Sequence, residues 1–270
     1  MIKELVSLDS KIIPSPDSSI GAFSSAALYG KGVFTSLAIH DAKPFLWEKH
    51  WRRLTHDAGV LGIDLMEFSE ESVRRAFDEI VKANSVVYGR TRITFFDESP
   101  SSVWHFDAPK RTSVLIMTGD RKSIPGNFRI EMSSFRISSV SKTPGIKSCN
   151  YLDNLLAHEE ATRHGFHEAI RLNERGEATS GCMANVFWLE GEKLVTPSLT
   201  TGCLAGTTRE FVLENIACEE VESGQDRIDH AGAIFLTSAG LGVVRVSELN
   251  GRKLGGENHP ILELVPGNPS

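Results

Sequence analysis

The sequence predicts an α/β (α+β) fold with two domains. Its 270 residues are enough for two ordinary domains, each with its own core. Short apolar runs typical of strands alternate with amphipathic segments typical of helices, which is the pattern of a mixed chain. We place a smaller α/β domain at residues 1–120, a connector at about 119–130, and a larger, strand-rich domain at residues 121–270 that carries Lys147.

In the first domain, "GVFTSLAIH" is predicted to be a strand, Asp41 to Pro44 a turn, and about Trp47 to Ala58 a helix. A second helix lies in "SEESVRRAFDEIVKAN", where a serine cap signal precedes an apolar face. That face consists of Val73, Phe77, Ile80 and Val81. Two further strands, "GRTRITFF" and "TSVLIMTGD", complete the predicted domain.

In the second domain, a turn and a strand are predicted in "RKSIPGNFRIEMSSFRIS", followed by a helix from about Tyr151 to His164. We expect Leu152, Leu155 and Leu156 of that helix to point inward. Three short strands follow, "HEAIRLN", "NVFWLEG" and "KLVTP", with the turn "ERGEATSG" between the first two. A helix in "TTREFVLENIA" and strands in "AIFLTSA" and "GVVRVSELNG" end the pattern.

Composition excludes several classes of protein. The net charge is −6 and no basic stripe is present, so nucleic acid is not an expected partner. No apolar run reaches the roughly 20 residues of a spanning helix, and the first residues lack a signal peptide's apolar segment. We therefore expect a cytoplasmic protein without a membrane partner. The four cysteines form no CxxC pair, so neither a metal site nor a disulfide framework is expected.

Three features indicate a cofactor. Lys147 stands between a Pro-Gly turn and a helix, where a buried amine could form a Schiff base with an aldehyde. "CLAGTTREFVLENI" puts a glycine and two threonines at a helix start, which suits a phosphate. Arg53 in "HWRRL" offers a guanidinium fork to the same group. Each feature alone is more often an exposed charge or an ordinary cap, but together they favour pyridoxal 5'-phosphate.

The chain resembles the fold type IV pyridoxal-phosphate enzymes, which include branched-chain aminotransferases, D-amino acid aminotransferases and aminodeoxychorismate lyases. The resemblance covers nearly the whole chain and rests on six motifs in the family's order. These are "YGKGVFTSL", "HWRRL", "GIKSCNYLDNLLAHEEATRHGFHEAIRLN", "ATSGCMANVFW", "LVTPSL" and "CLAGTTRE". It implies the two-domain architecture of that fold type and a homodimer in which the loop before "VWHF" reaches towards the partner's site.

The resemblance also assigns roles to residues. Lys147 would form the Schiff base with the cofactor and move the substrate's proton, and Lys142, which precedes Pro144 and lies outside the matched motif, is the rival nucleophile. Phe34 and Ser36 would line the substrate side, and Asn185 would be structural. The remaining cofactor-binding positions would be Arg53, Ser180, Leu204, Gly206, Thr207, Thr208, Ser238 and Ala239.

Three departures separate this chain from its relatives. Where they have a glutamate beside the pyridine nitrogen, this chain has Ser180, and a hydroxyl suits a neutral nitrogen better than a charged one. Glu177 has the wrong spacing along a strand to replace it. The loop "FFDESPSSVWHF" contains no arginine for a substrate carboxylate, and strand alternation would aim Arg90 and Arg92 at one face that we expect to be solvent-exposed. Lys31 stands where relatives commonly have an aspartate.

These observations leave three functions open. The first is a class IV aminotransferase that moves an amino group between an amino acid or amine and a 2-keto acid. The second is a lyase resembling aminodeoxychorismate lyase, which releases pyruvate and 4-aminobenzoate, because β-elimination depends less than amino transfer on charge stabilised at the substrate's Cα. The third is a protein that binds pyridoxal phosphate without turnover.

Overall fold

The computed structural model describes residues 2–100, 109–121, 123–143, 145–256 and 258–266. Within them the chain forms two compact units. The first unit contains the residues up to Arg121 together with Lys147–Tyr151, and the second contains the segment that ends at Ile146 and everything from Leu152 onwards. We expected Lys147 in the second domain; it groups with the first unit because its segment forms backbone hydrogen bonds with Gly32 and Phe34. The domain boundary near residue 120 stays a prediction.

The first unit is built on one antiparallel sheet of six strands, in the order β2-β1-β6-β5-β3-β4. The strands are β1 Ile2–Leu8, β2 Lys11–Pro14, β3 Gly32–His40, β4 Lys43–Pro44, β5 Gly89–Asp97 and β6 Thr112–Gly119. The predicted strands β3, β5 and β6 are present, and they supply a core that includes Val33, Leu37, Ile93, Phe95 and Ile116. The sequence interpretation missed the hairpin of β1 and β2.

Three helices belong to the first unit: α1 Ser25–Tyr29, α2 Trp47–Val60 and α3 Glu70–Ala83. The Ser69 hydroxyl caps α3 by accepting a hydrogen bond from the N–H of Ser72 at 3.1 Å. The predicted apolar face of α3 is buried, as expected. The buried face of α2 carries two polar residues, His50 and Asp57, beside the apolar Leu54 and Ala58.

The second unit contains two sheets of five strands, in the orders β12-β11-β10-β13-β14 and β16-β15-β7-β8-β9. Its strands are β7 Arg129–Met132, β8 Glu168–Leu172, β9 Ala178–Gly181, β10 Asn185–Glu190, β11 Lys193–Pro197, β12 Glu219–Val221, β13 Ile234–Ser238, β14 Gly242–Arg245, β15 Glu248–Leu249 and β16 Arg252–Lys253. Residues of both sheets share one apolar cluster around Trp188, Ile170 and Leu236. Strand β9 lies inside the segment that we predicted to be a turn, and it carries Ser180.

The helices of the second unit are α4 Leu152–Arg163, α5 Thr207–Asn215 and α6 Gln225–Asp229. The prediction for the leucines of α4 is wrong. Leu152, Leu155 and Leu156 are 59%, 44% and 38% exposed, whereas Ala157 and Ala161 are buried. The two alanines pack with Ala169 and Cys182 because small side chains allow the helix to approach strand β8 closely.

No helix within the described residues is long and apolar enough to cross a membrane.

Candidate active site

The Lys147 segment is attached to the start of strand β3. The Phe34 N–H donates to the Lys147 carbonyl at 3.0 Å, and the Cys149 N–H donates to the Gly32 carbonyl at 2.8 Å. These bonds form an antiparallel β-bridge in which Val33 is paired with Ser148. The Lys147 N–H donates to Asp57 Oδ2 at 3.1 Å, so helix α2 holds the peptide group that precedes this residue. The backbone of the lysine is therefore held by both a strand and a helix.

The side chain of Lys147 lies among aromatic rings and positive charges. Its Nζ is 4.5 Å from the Phe34 ring centroid and 4.9 Å from that of Tyr151. The Tyr151 hydroxyl is 3.4 Å from Nζ, which is longer than an ordinary hydrogen bond. Burial, followed by the charges of Arg53 and Arg92, lowers the pKa of Lys147 from 10.5 to about 7, while the Asp57 carboxylate acts against this shift. A large fraction of the amine is therefore neutral, and nucleophilic, near neutral pH.

Arg53 is held by a short chain of polar groups. Its Nη2 donates to Thr35 Oγ1 at 2.9 Å, and Thr35 Oγ1 lies 2.6 Å from His50 Nδ1. Because an arginine can only donate, the Thr35 hydroxyl accepts from Arg53 and is hydrogen-bonded to His50 as well. Burial, and then the charges of Arg53 and Lys147, lower the pKa of His50 well below 6.5, which keeps the imidazole neutral at pH 7. The predicted phosphate ligand therefore has a fixed orientation.

The expectation that Arg90 and Arg92 both face solvent is wrong for Arg92. Arg90 is exposed, but Arg92 is half-buried, with its guanidinium 3.5 Å from the Phe34 ring centroid. Its Nε donates to Thr94 Oγ1 at 3.2 Å, and it lies beside the Cys149 thiol. Alternation along β5 correctly places both arginines on one face, but Phe34 and Cys149 cover that face only at Arg92. Arg92 is shielded by residues that are distant from it in the sequence, and the alternation of a single strand cannot reveal such contacts.

Phe34 and Ser36, the two residues predicted to line the substrate side, both lie near Arg92. Phe34 is buried beneath Lys147 and Arg92, and its ring meets that of Tyr151 edge-on at 5.2 Å. Ser36 is half-buried and lies directly opposite Arg92 in the register of β3 and β5. Sequence reasoning did not identify Tyr151; the signal was its spacing of four residues from Lys147.

The residue Lys31 has a direct partner. Its Nζ lies 2.7 Å from Asp97 Oδ2, and Asp97 is buried. The Glu98 carboxylate accepts from the Ser113 hydroxyl at 2.6 Å. The acidic residues of "FFDES" therefore serve local contacts in the first unit. The rest of that loop, residues 101–108, lies outside the described residues.

In the second unit, the predicted phosphate seat is the start of α5. Gly206 is the N-cap of this helix, which has no side-chain cap, and Thr207 and Thr208 are buried in its first turn. The Asn185 side chain donates from Nδ2 to the Leu204 carbonyl at 2.8 Å. A Cβ atom on Gly206 would lie 2.0 Å from Asn185 Oδ1, so only glycine fits this close approach. Asn185 thus shapes the turn that begins the helix.

The other predicted residues of the second unit occupy strand ends. Ser238 is the last residue of β13, where its hydroxyl accepts from the Leu241 N–H at 3.2 Å, and Ala239 follows it in a turn. Ser180 is buried on β9. Glu177 does not take the place of a carboxylate at this position, because it accepts from Asn173 Nδ2 and Arg175 Nη2, each at 2.7 Å.

Comparison with known proteins assigns the chain to a family. The family described as amino-transferase class IV matches residues 32–249, and the chain belongs to it. Aminodeoxychorismate lyase of Bacillus subtilis is 27% identical over 97% of this chain and 93% of its own length. A probable branched-chain-amino-acid aminotransferase of Thermotoga maritima is 30% identical over 87% of this chain and 81% of its own length. The protein is therefore an enzyme of this family, whose members use pyridoxal phosphate.

A solved structure shows the same fold. The branched-chain aminotransferase of the thermophilic archaeon Thermoproteus uzoniensis, solved with norvaline, has a TM-score of 0.87 and 24% identity. The match covers 97% of this chain and 92% of that chain. The expected fold type IV architecture is confirmed.

Proposed function

We propose that this enzyme binds pyridoxal 5'-phosphate through Lys147 and transfers an amino group between an amino acid or amine and a 2-keto acid. The observation that carries this proposal is the packing of the Lys147 amine against the rings of Phe34 and Tyr151, a setting in which burial lowers its pKa to about 7. A lysine with its ordinary pKa would be almost wholly protonated at neutral pH and a poor nucleophile. When bound, the cofactor accepts the amino group and withdraws electrons from the substrate's Cα.

The residues around Lys147 fit an aldehyde with a phosphate group. On the family resemblance, Arg53 supplies a permanent positive charge to the phosphate, and Thr35 and His50 keep that guanidinium in place. Taken by itself, the start of α5 is also suited to a phosphate, because it has no side-chain cap and Gly206 leaves no side chain in the way. Leu204, Ser238 and Ala239 keep the cofactor roles that the resemblance gives them.

Lys147 also has the properties of a proton carrier. A group with a pKa of about 7 accepts and returns protons with little free-energy cost at neutral pH. Asp57 and β3 fix its backbone, so only the side chain has to move between the aldehyde carbon and the substrate's Cα. Phe34 and Tyr151 exclude water from one side of the amine.

Arg92 is the residue that we assign to the substrate's carboxylate. Among the described residues no carboxylate forms an ion pair with it, and burial lowers the pKa of its guanidinium. An anionic substrate group would neutralise this charge beside Lys147. This assignment supplies the carboxylate ligand that the sequence of the loop after β5 does not provide.

Replacing Arg92 by leucine tests that role. Loss of a charge-assisted contact of about 1.5–3 kcal/mol should raise KM for an amino acid by roughly ten- to a hundredfold. KM for an amine without a carboxylate should change much less, because that substrate loses only the effect of the Arg92 charge on Lys147. Arg90→Leu, which changes an exposed arginine on the same strand, is the control. Equal effects on the two kinds of substrate would remove Arg92 from the binding site.

An absorption spectrum of the purified protein tests the proposal as a whole. Bound cofactor should give a visible band that changes when an amino donor is added. Lys147→Ala should lose this band, whereas Lys142→Ala should retain it, because Lys142 is exposed in a loop. A band that survives in Lys147→Ala would reject Lys147 as the Schiff-base residue. A band that responds to amines without turnover would support the third function, binding alone.

Elimination is the second candidate function, and Ser180 is the observation that favours it. The chain lacks a carboxylate at this position, and Glu177 is engaged elsewhere. Supplying 4-amino-4-deoxychorismate and measuring pyruvate separates the two reactions. Pyruvate release without a requirement for a keto acid would establish the lyase, and transfer to a keto acid would establish the aminotransferase.

We also propose a homodimer in the cytoplasm. Support for association comes from apolar side chains exposed on each unit: Phe23 and Tyr29 in the first, and Leu152, Leu155 and Leu156 in the second. Sedimentation equilibrium should give twice the chain mass, and Leu155→Glu should weaken the association. A monomer at micromolar concentration would reject the proposal.

A further inference from the structure

Lys147 and Arg92 share one aromatic ring. The Arg92 guanidinium carbon is 3.5 Å from the Phe34 ring centroid, and Lys147 Nζ is 4.5 Å from the same point. The two charged groups are therefore at most about 8 Å apart, because both distances are measured from one centroid. All three residues belong to the first unit. Since Phe34 is only 4% exposed, its ring excludes water that would otherwise screen the two groups from each other.

The titratable groups around the amine come from α2, from β5 and from the segment of the lysine itself. They are Arg53, Asp57 and His50 of α2, Arg92 of β5, and Cys149 and Tyr151 beside the lysine. Arg53 and Arg92 disfavour a proton on Lys147, whereas Asp57 favours one. Burial lowers the pKa of His50 and raises the pKa of Cys149, so both groups are neutral at pH 7.

The charge of Arg92 can be neutralised only by a ligand. Within the part of the chain that the structure describes, its acceptors are the neutral Thr94 hydroxyl and the Cys149 thiol, and no carboxylate pairs with it. A guanidinium does not lose its proton in a protein. An anion that binds Arg92 would therefore remove one of the positive charges that act on Lys147.

We propose that a substrate carboxylate bound to Arg92 makes Lys147 a stronger base, so that occupation of the site is coupled to uptake of a proton by the amine. This inference rests on the proposed function, in which Arg92 holds that carboxylate. In the empty site the amine is a neutral nucleophile, ready to react with the cofactor's aldehyde. In the occupied site it is a better acceptor for the proton of the substrate's Cα.

The coupling distinguishes two kinds of substrate. An amino acid strengthens the base that takes its own proton, whereas an amine without a carboxylate leaves Lys147 as it is in the empty site. Because such a coupling is reciprocal, a carboxylate should also bind more tightly when the amine is protonated. Its affinity should therefore fall, by up to about tenfold, as the pH rises from 6 to 9.

Calorimetry of butyrate binding tests the coupling. Butyrate has a carboxylate but no amino or keto group, so it can occupy Arg92 without reacting with Lys147. Titration of the cofactor-depleted full chain at pH 7.5, in two buffers of different ionisation enthalpy and equal ionic strength, gives the number of protons taken up per butyrate. A unit charge within about 8 Å, at an effective dielectric constant of about 20, moves a titration midpoint by about one pH unit or more. From a pKa of about 7, this predicts uptake of about half a proton.

The variants assign the proton and the carboxylate to their residues. Lys147→Met should bind butyrate but take up almost no proton, whereas Lys142→Met, in an exposed loop, should behave as the wild type. Arg92→Leu should bind butyrate about tenfold more weakly or worse, and Arg90→Leu should bind it as the wild type does. Butyramide, which has the same shape without the charge, should cause no uptake. Arg92→Gln replaces Arg92→Leu if circular dichroism shows that the leucine variant does not fold.

Three results would overturn the inference. Butyrate binding that depends on Arg92 but takes up no proton would show that the two groups are not coupled. Uptake that persists in Lys147→Met would assign the proton to another group. Absence of butyrate binding would remove the carboxylate role of Arg92, on which the coupling depends. The visible band that requires Lys147 is measured separately, so a protein that forms the band without proton uptake keeps the proposed function and loses only the coupling.

Discussion

Replacing Lys147 by methionine should stabilise the cofactor-free protein at pH 7. Burial and the charges of Arg53 and Arg92 hold the pKa of this lysine at about 7 in the folded chain, against 10.5 for an ordinary lysine. The folded state therefore releases the proton near pH 7, whereas the unfolded state keeps it up to about pH 10.5. Because the unfolded state binds more protons in this window, the free energy of unfolding of the wild type should rise with pH across it.

The size of the effect follows from the difference between the two pKa values. One pKa unit corresponds to about 1.4 kcal/mol, so the full penalty below pH 7 is at most about 5 kcal/mol. Some solvent contact of the side chain reduces it. This remains a large part of the roughly 5–15 kcal/mol by which a folded protein is stable. Lys147→Met removes the charge and should remove this rise with pH.

Urea denaturation at pH 7, 8 and 9, followed by tryptophan fluorescence, measures the effect. The difference in unfolding free energy between Lys147→Met and the wild type should shrink as the pH rises. Lys142→Met is the matched control, because Lys142 is exposed and should leave the profile unchanged. Parallel profiles for the wild type and Lys147→Met would show that the amine is not desolvated in the folded protein, and the reasoning for its reactivity would fail.

Two further substitutions test the cofactor-binding groups. Gly206→Ala places a methyl group 2.0 Å from Asn185 Oδ1, and this overpacking should lower unfolding stability by about 1–3 kcal/mol and weaken cofactor binding. Gly126→Ala, which has open space around it, should change neither quantity in the same titration and melting experiments. Thr35→Val breaks the link that orients Arg53, so fluorescence titration should show a several-fold loss of pyridoxal phosphate affinity from a bond worth about 1 kcal/mol. Unchanged affinity in Thr35→Val would mean that Arg53 does not need this support.

Elements with strong periodicity were predictable from the sequence. Helix α3 combines a capping serine with an apolar face of the correct spacing, and its boundaries agree with the structure. The hairpin of β1 and β2 was not predicted because its turn residues, Asp9 and Ser10, adopt positive φ angles of 49° and 64° without the glycine that usually marks such a turn. Local signals are sufficient only where the residues follow common preferences.

The leucines of α4 show a different limit. Large apolar side chains are expected inside, but here alanines make the close contact with β8, and the leucines remain on the surface. A rule that assigns apolar residues to the core assumes that one chain covers all of its own apolar faces. If a second copy of the chain covers the leucines of α4, as proposed, that assumption does not hold.

The candidate site was predictable only where a motif carried it. Lys147 and Arg53 follow from family motifs, but the contacts that tune them do not. Thr35, Asp57 and Arg92 come from three different elements, and only the folded chain brings them to the lysine.

The attachment of the Lys147–Tyr151 segment to β3 affects how this enzyme can be divided into fragments. A gene truncated after Arg121 would encode the six-stranded sheet without the five residues seated on Gly32 and Phe34. The amide and carbonyl groups of β3 that they satisfy would then face water, and the fragment would lack its amine. A synthetic peptide of these residues, added in trans, is the complement that such a fragment requires.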